Sequence, residues 1–408
     1  MNLKQKLIAL ILLVGIVPAL IIGAVSIQNS RAALEQQVFE ELQAQRTIKA
    51  NRIFQHFVEA QHNIETLADN LSLLIEKQGL EAAIIEVDPN GQSLFSRYIE
   101  RNDYYDLFLL DIEGYNFYSV TQEANYQTNL VTGIYHTSGL GEVVQKTIAD
   151  GQYHMSDFAP YAPSNGDPAA FIAAPVKVQG DVVMILAMQV SLDGINNIMA
   201  ERTGMSDSSE TYLVGADLLM RSDSFLDPTY HSVQASFANP LLGKVDTEAT
   251  RQSLLGNTGS QIIIDYNGNL VLSAYAPLPL QDGVVWNIVA EIDQVQAFAP
   301  IAVLQTTMLI LAGVGVVLIT LLAFMFAAII AKPMLILADV IGKVEQTGDL
   351  SIRYKNPSSD ETGQAGRALN GLLERQQSAI AQINTVMGAI AVGDFEHRVD
   401  MPLVGNFS

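Results

Sequence analysis

Two uncharged apolar segments constrain the fold of this chain more than any other feature of its sequence. Leu7–Ile27 and Ile301–Ile330 are 21 and 30 residues long and contain no Asp, Glu, Lys or Arg. A helix of about 20 apolar residues spans the hydrocarbon core of a bilayer, so we expect both segments to be transmembrane helices. A cleaved signal peptide is the alternative for the first segment. A core helix is the alternative for the second, but it would have to be buried on every face.

The lysines that flank the two segments predict their orientation. Lys4 and Lys6 precede the first segment, and Lys332 and Lys343 follow the second. Because positively charged residues favour the cytoplasmic side of a membrane, we predict that both termini are cytoplasmic and that residues 28–300 lie outside the cytoplasm.

The segment between the two apolar stretches is strongly acidic. Residues 28–300 contain 34 Asp and Glu but 13 Lys and Arg, so this segment carries the whole net charge of −21. Such a surface repels phosphate backbones, which argues against nucleic acid as a partner. The chain contains no cysteine, so disulfides, thiolate metal sites and cysteine nucleophiles are excluded.

Residues 30–79 have the pattern of one long helix. Apolar residues alternate steps of four and three from Ile53 to Leu74, which predicts a continuous stripe for packing, and Gly79 is expected to end the helix. Beyond it, a hairpin, a short helix and three strands are predicted over residues 105–190. The same order recurs about 100 residues later, from Tyr212 to Glu291. We therefore predict two tandem α+β modules mounted on one helix; coincidence among short strands is the alternative.

This arrangement resembles the double Cache sensor domain. The resemblance is strongest at residues 106–120, 157–175, 210–224 and 261–293. It implies an α+β ectodomain with a membrane-distal module (residues 80–200) that binds a small ligand and a membrane-proximal module (residues 201–295) that connects to the second span.

Candidate ligand-binding residues lie in the distal module, where aromatic walls and polar tips can form a concave site. They are Tyr118, Tyr126, Asn129, Tyr135, Asp157 and Tyr161. We expect the Pro- and Gly-rich stretch 156–167 to form a lid-like loop and Asp157 to pair with a ligand ammonium group. Half-buried packing of the tyrosines and a turn-capping role for the aspartate are the structural alternatives.

Amino-acid-binding members of that family carry an Arg–x–Trp–Tyr cluster, which this sequence lacks. We therefore do not predict a standard α-amino acid as the ligand; a cationic amine suits the acidic segment, and a neutral metabolite is the alternative. The sequence contains no phosphate-binding Gly/Lys loop and no His-Glu-x-x-His pattern, and the six histidines are scattered. We predict no catalytic residue, no metal site and no cofactor.

The segment after the second apolar stretch resembles a HAMP linker. Its pattern is a proline, a helix ending near Gly348, a connector over residues 350–359 and a second helix opened by Asp360-Glu361-Thr362-Gly363. The resemblance implies an all-α HAMP domain over residues 331–384, in which two copies of the chain form a four-helix bundle. Pro333, Asp360, Glu361 and Gly363 are its predicted signal-relay residues. An unrelated juxtamembrane coiled coil is the alternative.

The combination of double Cache and HAMP resembles a bacterial methyl-accepting chemotaxis receptor of the inner membrane, with residues 28–300 in the periplasm. Gly393-Asp394-Phe395 repeats Gly348-Asp349-Leu350, so residues 385–408 are expected to begin a second HAMP unit and the chain is expected to be truncated at its C-terminus. The predicted function is a homodimeric chemoreceptor that signals to cytoplasmic proteins. The input half of a sensor histidine kinase or nucleotide cyclase is the alternative, and an adhesion protein is a third class.

Overall fold

A computed structural model describes residues 3–79, 93–355 and 358–393. The chain divides into two compact units, one formed by Ser30–Ile301 and the other by the residues before Ser30 and after Ile301. The expected start of a second HAMP unit falls largely on residues 394–408, which lie outside the described part of the chain.

The first helix is longer than the sequence pattern predicts. Helix α1 runs without interruption over Leu3–Gln78 and includes Pro18. It ends where expected, because Gly79 adopts a φ of +81° and donates its amide to the carbonyl of Ile75, a left-handed cap that favours glycine. The predicted stripe is confirmed, since its members from Ile53 to Leu71 are buried.

The first module follows α1 and is built on a five-stranded antiparallel sheet. Its helices are α2 (Leu94–Asn102), α3 (Gly139–Asp150) and α4 (Leu192–Ala200). Its strands are β1 (Tyr104–Leu110), β2 (Asn116–Ser119), β3 (His154–Met155), β4 (Ala159–Pro160), β5 (Pro168–Ala169), β6 (Phe171–Val178) and β7 (Asp181–Val190). The sheet order is β2-β1-β7-β6-β3, and β4 and β5 form a separate pair.

The second module has a four-stranded antiparallel sheet. Its strands are β8 (Glu210–Val214), β9 (Gly259–Ile264), β10 (Leu270–Pro279) and β11 (Val285–Asp293), in the order β8-β11-β10-β9. Four short helices connect them: α5 (Pro228–His231), α6 (Val233–Ala238), α7 (Pro240–Gly243) and α8 (Glu248–Leu254). Helix α9 (Gln294–Ala297) follows β11.

The two sheets confirm the predicted internal repeat. Strands β1, β7, β6 and β3 of the first sheet occupy the same positions, in the same chain order, as β8, β11, β10 and β9 of the second. The second strand of the first hairpin has its counterpart in a single bridge between Val214 and Met220. Each sheet has an apolar cluster on the face opposite α1, and a larger cluster joins α1 to both modules.

The other compact unit contains the two apolar segments and two further helical stretches. Helix α10 covers Ala299–Thr347 and continues through Pro333, and helix α11 covers Glu361–Ala391. The apolar parts of α1 and α10 are long and apolar enough to cross a membrane. They pack closely where a Cβ added to Gly15 would lie 3.1 Å from the Ile319 side chain.

Candidate functional site

The six predicted ligand-binding residues do not converge on one cavity in the structure. Tyr118 packs on the side of the first sheet that faces α1, where its ring lies 5.2 Å from that of Phe95. Tyr135 and Tyr161 pack in the cluster on the opposite side. The sheet therefore separates Tyr118 from these two tyrosines.

Tyr161 is part of the packed interior of the first module. Its ring lies 4.7 Å from that of Phe171, and its hydroxyl accepts a hydrogen bond of 2.8 Å from Asn125 Nδ2. Burial, followed by the charge of Glu123, raises the pKa of Tyr161. This side chain holds the 156–167 loop against the sheet.

Asn129 organises a turn with its side chain. Its Oδ1 accepts hydrogen bonds from the amides of Val131 and Thr132, at 2.9 and 2.7 Å, and its Nδ2 donates to the carbonyl of Glu113. Such a pattern is the local backbone capping that asparagine favours in loops. Tyr126, three residues earlier, is half-buried.

Asp157 links the two modules. Its Oδ1 accepts hydrogen bonds of 2.8 Å from Arg221 Nε and from Trp286 Nε1, and its Oδ2 accepts one of 2.7 Å from Arg221 Nη2. The Arg221 side chain is 2% exposed. A buried guanidinium is stabilised by a bidentate anion of this kind. In this structure the carboxylate of Asp157, which is predicted to meet a ligand ammonium group, pairs with Arg221.

The surroundings of Arg221 are built to hold it. Burial acts to lower the pKa of Arg221, but the hydrogen bonds and charges of Asp157 and Asp217 outweigh it and raise the pKa. A Cβ on Gly215 would lie 2.2 Å from the guanidinium carbon, so only glycine leaves room there. The sequence pattern missed Arg221, although an arginine that follows three apolar residues at the end of a hairpin signals a buried charge that needs a partner.

Further polar contacts join the modules on either side of this ion pair. Gln234 Nε2 of α6 donates to Asp167 Oδ1 at 2.6 Å. At the β10–β11 turn, Asp282 contacts both His154 Nδ1, at 3.1 Å, and Lys146 Nζ, at 3.2 Å. The 156–167 loop is therefore attached to the second module at both of its ends.

A pocket of about 290 Å³ lies beside this loop. It is lined by the loop, Tyr105 of β1, the end of β7, the start of α4, and Gln234 from the second module. Two carboxylates, Asp167 and Asp193, line it without any Lys, Arg or His among the lining residues. Gln189 also lines the pocket; it is 6% exposed, and its Oε1 has no hydrogen-bond partner among the described residues. The pocket is thus rich in acceptors.

The predicted relay residues in the other unit have clear local roles. Asp360 caps α11, because its Oδ1 accepts a hydrogen bond of 2.9 Å from the amide of Gly363, and Glu361 places a negative charge in the first turn, which the helix dipole favours. A Cβ on Gly363 would lie 1.7 Å from the carbonyl oxygen of Ser358. The Asp-Glu-x-Gly pattern therefore starts the helix and lets the connector pass close to it.

The connector is fixed to α11 by Tyr354. The amide of Tyr354 donates to Asn370 Oδ1 and its carbonyl accepts from Asn370 Nδ2, both at 2.8 Å. A Cβ on Gly366 would lie 2.0 Å from the Tyr354 ring. Neither Tyr354 nor Asn370 is among the relay residues predicted from the sequence. Helix α10 ends before Gly348, as predicted, but Pro333 leaves it uninterrupted.

The described residues form a tandem α+β domain between two apolar helices, followed by two helical stretches joined by a connector. Comparison with known proteins identifies the last part of this arrangement. Residues 325–378 match the HAMP domain family, which overlaps the predicted range of 331–384. The chain contains a HAMP domain and resembles methyl-accepting chemotaxis receptors.

One curated relative is the methyl-accepting chemotaxis protein PctB of Pseudomonas aeruginosa. It is 28% identical over 120 residues, which cover 29% of this chain and 19% of that receptor. The chain thus matches about a fifth of the length of this relative.

Similar solved structures are ligand-binding domains of chemoreceptors. That of Pseudomonas fluorescens CtaA with L-isoleucine is 16% identical, with a TM-score of 0.44, and the match covers 66% of this chain and 98% of that one. That of Pseudomonas aeruginosa PctC with GABA is also 16% identical, with a TM-score of 0.42, and the match covers 63% and 100%.

Proposed function

We propose that this chain is the sensing and relay part of a homodimeric bacterial chemoreceptor. In this proposal residues 28–300 lie in the periplasm, the termini lie in the cytoplasm, and a small ligand bound by the tandem modules changes the packing of the HAMP helices. The lysines outside the two apolar segments support the orientation. The resemblance to methyl-accepting chemotaxis receptors supports chemotaxis as the output.

The acceptor-rich pocket beside the 156–167 loop is the observation that carries the proposal. Its two carboxylates, Asp167 and Asp193, favour a ligand with donor groups, and the rings of Tyr105 and Phe158 can cover an ammonium group. None of the described residues that line it is basic and could receive a carboxylate, which supports the prediction of an amine rather than an α-amino acid. Asp157 and Tyr161 position the loop in this proposal, and a direct role for the six predicted residues stays a prediction.

The ligand signal is proposed to pass through the buried ion pair. A ligand that moves the 156–167 loop must also move Asp157, and hence Arg221 and Trp286 in the second module. The second module leads through β11 and α9 into α10. The bound ligand selects between two arrangements only if it binds them with different affinities.

The second copy of the chain is proposed to cover an apolar stripe on α11. Leu372, Ile383 and Ile390 lie at heptad spacing along α11, and each is more than 40% exposed. Such a stripe is stabilised by packing against other helices, and a four-helix bundle from two copies supplies them.

The test is ligand binding to the full chain in lipid nanodiscs. Primary amines, standard α-amino acids and neutral metabolites are screened by thermal shift, and each hit is measured by calorimetry. We expect an amine to bind. The double variant Asp167→Asn, Asp193→Asn should weaken binding of that amine at least about tenfold, which corresponds to the loss of one charge-assisted hydrogen bond. Asp181→Asn, at the exposed start of β7, is the matched control. Equal weakening by the control, or binding of no compound, would contradict the proposed site.

A further inference from the structure

A row of polar side chains crosses the second sheet within an otherwise apolar face. Gln261, Ser273, Glu291 and Glu210 are successive register partners on β9, β10, β11 and β8. Residues paired in register point to the same side of a sheet, so these four lie on one face. Their neighbours on that face, such as Val271 and Val289, belong to a buried apolar cluster.

Two members of the row are carboxyl groups placed directly opposite each other. Glu210 and Glu291 are each 3% exposed, and no described residue forms a salt bridge with either. Like charges at directly opposed positions destabilise an antiparallel pair, and a buried charge without a counterion is costly. The pair is therefore more stable with a proton than with two negative charges.

The hydrogen bonds around the two groups assign the proton to Glu291. Glu210 accepts from the Tyr266 hydroxyl, from Ser224 Oγ at 2.9 Å and from the amide of Phe225 at 3.2 Å, which are bonds that favour a carboxylate. Glu291 accepts one hydrogen bond, from the Tyr212 hydroxyl at 3.0 Å, and its Oε1 has no partner in the described structure.

The electrostatics agree with this assignment. Burial raises the pKa of Glu291 to about 8. The side chain of Ser273 acts to lower this pKa, and the charge of Glu210 acts to raise it. Glu291 therefore gains or loses its proton within the pH range that an external compartment can reach.

Among the described residues packed around the pair, none supplies a compensating cation. The ionisable groups that face the pair lie on three parts of the module. Tyr212 is on β8, and Asp265 and Tyr266 are at the β9–β10 turn. Asp227, just before α5, pairs at 2.8 Å with His231 of α5, whose ring lies against that of Tyr266. Helix α8 turns Ala249, Thr250 and Ser253 inward, and its Arg251 pairs with Asp246 at the surface. Arg202 stacks on the Phe225 ring, and Arg46 of α1 donates to the carbonyl of Tyr275.

The first module provides an internal comparison. Asp106 on β1, which is fully buried, is the counterpart of Glu210 in the first module. It likewise accepts hydroxyl and amide hydrogen bonds, among them those from Ser119 Oγ at the end of β2 and from the amide of Val120, the next residue. The residue opposite Asp106 on β7 is Gln189, which occupies the place of Glu291. The fold therefore accepts an uncharged amide at this position, and the second module differs by having an acid there.

We propose that the Glu210–Glu291 pair is a proton-binding site through which the second module responds to the pH of the compartment it faces, in addition to the small ligand proposed above. When Glu291 releases its proton to solvent, two carboxylates oppose each other between β8 and β11. Repulsion then moves β11, which ends at Asp293 and continues through α9 into α10. This inference does not depend on the ligand pocket.

The first measurement detects the proton itself. Infrared difference spectra of the full chain in nanodiscs, recorded between acidic and alkaline pH, should show a protonated-carboxyl band that titrates near neutral pH and is absent in Glu291→Gln. Glu248→Gln, an exposed acid in the same module, should retain it. In Glu210→Gln the band should remain and titrate at a higher pH than an exposed glutamate but a lower pH than in the wild type. A spectrum of Glu291→Gln identical to that of the wild type would overturn the assignment.

The second measurement detects the movement. Because the chain has no cysteine, Val295→Cys places a single spin label on α9, where the side chain is 86% exposed. We expect a pH-dependent change in label mobility or in label-to-label distance that disappears when Glu291→Gln is added. A band that titrates without any change at position 295 would overturn the switch. Both readouts are taken without ligand, so failure of the amine site does not affect them.

Discussion

Arg221 shows how one buried charge can define the contact between two folded modules. Its guanidinium is fixed by Asp157 from the first module, by Asp217 from its own hairpin and by the space that Gly215 leaves. Removing one partner of such a pair leaves the other charge buried without compensation, which costs more than the pair contributes.

We therefore expect Asp157→Asn to destabilise the protein by roughly 3 kcal/mol, in the range for breaking a buried pair. Denaturant unfolding of the full chain in detergent, followed by tryptophan fluorescence, is a direct measurement because the single Trp286 contacts Asp157. Asp207→Asn is the control, since that side chain forms no ion pair among the described residues. Equal stability of the two variants would show that the ion pair does not hold the modules together.

The pH dependence of stability gives a second test at this scale. Glu291 has a pKa raised from 4.5 to about 8, so the folded protein binds a proton that the unfolded chain has released over that interval. Its contribution to stability is complete below about pH 4.5 and is lost as the pH rises to about 8. We expect the melting temperature of the wild type to fall over this range relative to Glu291→Gln. Parallel curves would contradict a raised pKa.

At the scale of elements, the sequence predicts those helices, strands and turns that are determined by apolar periodicity and by local turn chemistry. The α1 stripe, the β1–β2 hairpin, α3 between Ser138 and Gly151, and the repeated strand order all follow from local patterns. The contacts of Asp157 with Arg221 and Trp286 join residues 64 and 129 positions apart, and no local pattern reports such pairs. Tyr118 does not meet Tyr135 and Tyr161 because the sheet lies between them: Tyr118 is on β2 and packs on the α1 side, whereas the other two are in loops that pack on the opposite side.

The connector of the HAMP domain provides a prediction at the scale of elements. Gly366→Ala should push the Tyr354 ring away from α11, whereas Gly371→Ala on the same helix meets no atom within 4 Å and should stabilise the helix by about 1 kcal/mol. Limited trypsin digestion at Arg353 and Lys355 measures the difference. We expect faster cleavage in Gly366→Ala than in the wild type and no acceleration in Gly371→Ala. Equal rates would mean that Tyr354 does not fix the connector.

At the scale of the whole molecule, the proposed dimer depends on the exposed apolar stripe of α11. Ile383→Glu should shift the full chain in detergent towards the monomer, because a charge in a helix bundle core is not compensated. Gln377→Glu is the control. Gln377 is on the same helix, but its side chain bonds to Arg353, so this change should leave the mass of the oligomer unchanged. Light scattering after size exclusion gives the mass, and a monomeric wild type would contradict the bundle.

The central claim is that a ligand bound by residues 30–301 changes the packing of the HAMP helices. The most direct measurement is disulfide formation between two copies of Leu372→Cys, the only cysteine in the chain, in nanodiscs with and without an amine identified by thermal shift. We predict that the amine changes the rate of crosslinking at least about threefold and that Asp157→Asn abolishes the change. Tight binding of the amine with an unchanged crosslinking rate would contradict the claim.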